Sequence, residues 1–119
     1  MTTAITNDPE RTTRTGAAFN KPAYRYIRQS DALPPLYAND GQGEAAMARV
    51  KLFNPTGAGT WYLSEYDPET RTAFGITNLG YGPELGYVSM EELCALRGMF
   101  NLPIERDIHW TPRPLSECR

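Results

Sequence analysis

Five carboxylates and one imidazole in the second half of the chain could do chemistry: Glu65, Asp67, Glu84, Glu105, Asp107 and His109. Carboxylates are hard oxygen ligands, so a set of them gathered from neighbouring turns would suit a divalent cation. In an extended segment His109 would share one side with Asp107 and Glu105, the juxtaposition that an acid–base pair requires. His109 is also the only histidine, which excludes a multi-histidine metal centre and a two-histidine mechanism. Carboxylates at turns commonly act as caps or solvated groups. The residues therefore assign no catalytic group, no metal and no cofactor, and a small metal-dependent hydrolase built on this acidic cluster stands as the alternative reading.

Other catalytic chemistries lack their patterns. Ser30, Ser64, Ser89 and Ser116 lie in no nucleophile elbow. Gly57, Gly59, Gly75, Gly80, Gly82 and Gly86 follow neither the dinucleotide spacing nor that of a phosphate-binding loop. Cys94 and Cys118 are the only cysteines and have no partner at ligand spacing, so neither a disulfide framework nor a zinc site is expected. Cys94 should be half-buried in a helix and Cys118 exposed near the C-terminus.

What remains is an aromatic set, Trp61, Tyr62, Tyr66, Tyr81, Tyr87 and Trp110, interleaved with carboxylates and arginine. Aromatic rings and arginine are enriched at protein interfaces because they bury large area at small entropic cost. Part of the set must fill the core, and Trp61, Phe74 and Trp110 are expected inside. Tyr66 and Tyr81 are expected near the surface, and with Glu84, Glu105, Arg106 and Asp107 they form the expected partner-binding face.

The elements that must position these groups follow from spacing. Met47 to Phe53 alternates, with Ala48, Val50 and Leu52 on one face and Arg49 and Lys51 on the other, which predicts a half-exposed strand. Thr60 to Tyr66 and Thr72 to Ile76 read as strands joined by a turn at Asp67-Pro68-Glu69-Thr70, and Leu85 to Val88 as a fourth. Ser89-Met90-Glu91-Glu92 is a capping box that opens a short amphipathic helix, with Gly98 as its left-handed stop. Leu102 to Trp110 is expected extended, with Ile104, Ile108 and Trp110 on its apolar side. The predicted fold class is α+β, an antiparallel meander of three to four strands with one short helix on one face.

At 119 residues the chain suits one domain that buries roughly two-thirds of its unfolded surface. Residues 1–31 carry five basic groups against three acidic ones and read as a weakly basic arm. Residues 32–119, the single α+β domain, carry seven basic against eleven acidic groups, a balance of −4. The folded body is expected to begin near Leu36. Such a body is poorly suited to phosphate neutralisation, so nucleic acid is not expected as its partner, and weak contact is left to Arg25 and Arg28 in the arm. No long apolar run and no signal-peptide pattern occurs, and a cytoplasmic location is expected.

The run Leu52-Phe53-Asn54-Pro55, Thr60-Trp61-Tyr62 with Glu65 and Asp67, Phe74-Gly75, Glu84-Leu85-Gly86-Tyr87-Val88-Ser89 with Glu92-Leu93, and Leu102-Pro103-Ile104-Glu105-Arg106-Asp107 resembles a family of small bacterial proteins classed as a domain of unknown function. The resemblance covers residues 36 to 112 and leaves out the first 31. It implies carriage on plasmids, integrative elements and phages, often near genes that help mobile DNA survive entry into a host, and it assigns no catalytic residue. The expectation is a non-enzymatic binding module that occludes a host protein or complex, in a counter-defence role of anti-CRISPR-like or anti-restriction-like kind.

Overall fold

Alternation of apolar and polar residues decides the central elements of the computed structural model, which describes residues 26–118. The strands are β1 (Met47–Ala48), β2 (Val50–Phe53), β3 (Thr60–Asp67), β4 (Thr72–Asn78), β5 (Pro83–Ser89), β6 (Glu105–Arg106) and β7 (Arg113–Pro114), and the helix α1 (Met90–Ala95) directly follows β5. Five strands pair antiparallel in the order β5-β4-β3-β2-β6, and β1 and β7 form a separate two-stranded sheet. The α+β class and the meander hold, but the sheet has five strands where three or four were expected. The extra strand, β6, consists of two residues docked on Leu52 and Phe53.

The single strand expected over 47–53 is divided at Arg49. Its first part enters the small sheet and its second the large one, while Ala48, Val50 and Leu52 stay buried as their alternation requires. Both faces of the large sheet are covered, one by the helix as expected and the other by residues outside it. On one face Met90 and Leu93 of α1 pack with Tyr26, Ile27 and Ile104 against Leu52, Trp61, Leu63 and Val88. On the other, Ala46, Leu115 and Cys118 gather with Ile76, against which Tyr62 and Trp110 pack.

Several expected placements change. Tyr26 and Ile27, assigned to the arm, lie in the core, and the rest of the arm, residues 1–25, falls outside the described residues. Cys118 is buried, whereas Phe74 and Trp110 are only half-buried and Ile108 is exposed. The Ser89 hydroxyl accepts from the Glu92 amide at 3.2 Å, as its capping role requires. The helix ends at Ala95, and Gly98 has φ of −92° and is no left-handed stop. A Cβ on Gly98 would stand 2.5 Å from Thr56 Oγ1 and 2.8 Å from Asn54 Oδ1, so glycine lets this loop approach the β2–β3 turn.

One irregularity governs the rest. The β3–β4 register shifts between Leu63 and Glu65, leaving Ser64 as an extra residue whose hydroxyl donates to the Phe74 carbonyl at 3.1 Å. Such a bulge reverses the facing of the residues beyond it. Tyr66 therefore joins Trp61 and Leu63 in the helix-side core, and Glu65 turns to the opposite face beside Phe74. Across from the bulge, a Cβ on Gly75 would run into the Tyr62 carbonyl.

Candidate functional site

The six residues expected to form a partner face lie in three places. Tyr66 is buried, because the bulge turns it inward. Tyr81, 96% exposed, lies in the turn between β4 and β5, and Glu84 near the start of β5, which among the described residues is one edge of the sheet. Glu105, Arg106 and Asp107 lie on or just after β6 at the opposite edge, four strand spacings or about 19 Å away.

Arg106 is a fastener. Its Nη1 and Nη2 donate to the two Asp31 carboxylate oxygens at 2.7 and 2.5 Å, and Nη1 also donates to the Tyr26 carbonyl at 2.7 Å. Only 10% of the Arg106 side chain and 8% of that of Asp31 are exposed. The Tyr26 hydroxyl donates to the Ile104 carbonyl alongside. Asp107 lies 3.7 Å from Lys51 Nζ and accepts from the His109 amide at 2.9 Å, which closes the strand with a turn.

The acidic residues of the alternative reading are equally dispersed. Asp67 accepts from the Glu69 amide and the Thr70 hydroxyl in the β3–β4 turn, and Glu65 is buried under the loop that precedes β1. Among the described residues no three His, Cys, Asp or Glu side chains come together to hold a metal ion.

The exposed aromatic groups converge elsewhere, on β5. Glu65 accepts the Tyr37 amide at 2.8 Å on one carboxylate oxygen and the Asn39 amide at 2.9 Å on the other, while Asn39 Nδ2 donates to the Ser64 carbonyl at 3.3 Å. This grip holds Tyr37 at a φ of 72°, a left-handed conformation unusual for a bulky residue. The Tyr37 and Tyr87 rings lie edge to face at 6.5 Å with hydroxyls 3.3 Å apart, and Phe74 meets Tyr87 at 5.1 Å. The hydrogen bond to Tyr37 leads the causes that raise the Tyr87 hydroxyl pKa, followed by desolvation and the negative fields of Tyr37, Asp40 and Glu65. Tyr37 is 61% exposed, Tyr87 58% and Leu85 48%.

Among the described residues β5 is the last strand on its side of the sheet. Its other face borders a groove of about 330 Å³ lined by Trp61, Val88, Leu93 and Leu96. Beyond the groove the 99–101 turn exposes Met99 and Phe100, with Phe100 also at positive φ.

The sequence reading did not single out Tyr37 or Leu85. Pro83 gave no signal of an edge, because proline is tolerated at the first residue of any strand. For Tyr37 no local signal exists, since its placement depends on a carboxylate 28 residues away.

Among the described residues no helix is long and apolar enough to cross a membrane. No curated protein and no solved structure matches the chain. One family model, described as a protein of unknown function (DUF2958), matches residues 30–118. That span takes in Asp31 with Arg106, Tyr37 with Glu65, and all five strands of the large sheet, and by it the chain belongs to the DUF2958 family.

Proposed function

We propose that the protein is a non-enzymatic protein-binding module whose contact surface is the β5 edge with the Tyr37, Leu85 and Tyr87 side chains that flank it. The observation that carries this reading is the pairing of exposure with rigidity. Tyr37 and Tyr87 present large apolar area to solvent, yet Tyr37 is held by the buried Glu65 carboxylate and Tyr87 by its place in the sheet. Aromatic groups ordered before binding lose little entropy on contact, which is the property of interface anchors. The resemblance to proteins of mobile elements supports a bacterial host protein as the partner, and occlusion of that protein in a counter-defence role is the form proposed. The carboxylates invoked by the hydrolase reading do not gather into a metal-holding group among the described residues.

A photo-crosslinking residue placed at position 87, with the exposed Ile108 at the far edge as control, tests the reading in a bacterial extract. A discrete adduct from position 87 and none from position 108 is expected. Indiscriminate labelling from both, or adducts from position 108 alone, would overturn it.

A further inference from the structure

We infer that the partner adds an extended segment to β5 as a sixth strand and lays a basic side chain, arginine above all, across the rings of Tyr37 and Tyr87. The inference rests on the reading of β5 as the contact edge and adds the chemistry of what binds there. Its first support is backbone geometry. In an antiparallel sheet alternate residues of an edge strand turn their N–H and C=O groups outward, and β5, which has no strand beyond it among the described residues, runs for seven residues. Pro83 is confined to its first position and Glu84 is its only charged residue, so the usual blunting of an edge by charge or bulge is slight here. Main-chain pairing to an open edge is a recurrent mode of peptide recognition.

The second support is what an added strand would meet. Leu85 and Tyr87 lie on the face that carries Phe74 and Tyr37, and a residue paired opposite Tyr87 would bring its side chain within about 5 Å of that ring. The π faces there are electron-rich, and the carboxylates that act on the Tyr87 hydroxyl are those of Asp40 and Glu65. Glu65 is buried and each of its oxygens already accepts an amide, so it acts on the newcomer through its charge and not through direct contact. A guanidinium fits such a place better than an ammonium, because it is flat, weakly hydrated and stacks on rings. An acidic side chain would meet two carboxylates and the negative faces of two tyrosines.

Three nine-residue peptides of alternating Thr and Val, differing only in a central Arg, Gln or Glu, provide the probe, titrated into the ¹⁵N-labelled chain at low salt. Amide shifts confined to residues 84–89 and the Tyr37 loop are expected. The Arg peptide should bind about three- to tenfold more tightly than the Gln peptide, with the Glu peptide weakest. Tyr87→Leu, which keeps apolar bulk and removes the π face, should abolish most of that difference, Asp40→Asn part of it, and added salt should narrow it.

Equal binding of the three peptides would refute the basic side chain. Shifts elsewhere, or no binding, would refute strand addition. Concentration-dependent broadening of the β5 amides without peptide would assign the edge to a second copy of the chain and overturn the inference. Failure of the peptides beside specific adducts from position 87 would condemn the inference and spare the binding module, whereas absence of those adducts would condemn the module itself.

Discussion

The large sheet has two edges, and they are finished in opposite ways. At one, β6 is two residues long, Ile104 is buried beside it, and Arg106 binds Asp31 with both arms of its guanidinium. At the other, β5 runs seven residues with Leu85 and Tyr87 open to solvent and no described strand beyond it. At β6 the charged groups are paired within the fold, whereas at β5 two large apolar side chains face solvent. The cluster Glu105-Arg106-Asp107 looks like a recognition motif in the sequence, yet its arginine and its second carboxylate are spent on internal contacts. An arginine and a carboxylate far apart in the chain can signify a tie across the fold as readily as a surface for a partner.

The sharpest way to break the comparison is to open the closed edge. Arg106→Ala leaves the Asp31 carboxylate largely buried without its counter-charge and should cost about 3 kcal/mol, a fall in melting temperature on the order of 10 °C. A melt within about 2 °C of the parent would return Arg106 to the list of surface contacts. Next in size, Glu65→Gln keeps the shape but leaves one acceptor for two amides, and should cost about 2 kcal/mol in denaturant titrations. Hydrogen exchange should then rise at Tyr37 and Asn39 first, and uniform acceleration through the sheet would contradict a local clamp.

Smaller effects sharpen the contrast. Ser89→Ala removes the cap where β5 passes into α1 and should cost about 1 kcal/mol by thermal melting, with the sheet otherwise intact. Tyr87→Ala should leave the melting temperature within about 2 °C of the parent, since an exposed ring contributes little to folding. If Tyr87→Ala melts as low as Arg106→Ala, the two edges do not differ in kind.

The central strands and the helix start were legible because each carries its own periodicity or cap: Ala48, Val50 and Leu52 alternate, and Ser89 stands three residues before Glu92. β1 and β6 fall in stretches expected to be extended, but the break at Arg49, the pairing of β6 and the whole of β7 were not legible, since two residues have no period to read. Tyr26 and Ile27 looked like parts of an arm because their partners lie in distant sequence, Ile104 being 78 residues from Tyr26. Tyr66 was misplaced for a different reason. Alternation from Trp61 and Leu63 puts every even residue outside, and the extra Ser64 reverses that count. The clue was Gly75 on the facing strand, because an isolated glycine within a strand pattern marks a bulge or a close backbone approach.

Folding order is written into the Arg106–Asp31 tie. The turns at 68–71 and 79–82 close loops of four residues, whereas the tie closes a separation of 75. The longer closure carries roughly 2 to 3 kcal/mol more entropy, so the meander forms first and the tie locks an assembled sheet. A bond made late governs how long the native state lasts rather than how fast it is reached. Stopped-flow traces of Arg106→Ala should therefore show unfolding much faster and refolding nearly unchanged, and a slowed refolding limb would instead place the tie in the nucleus.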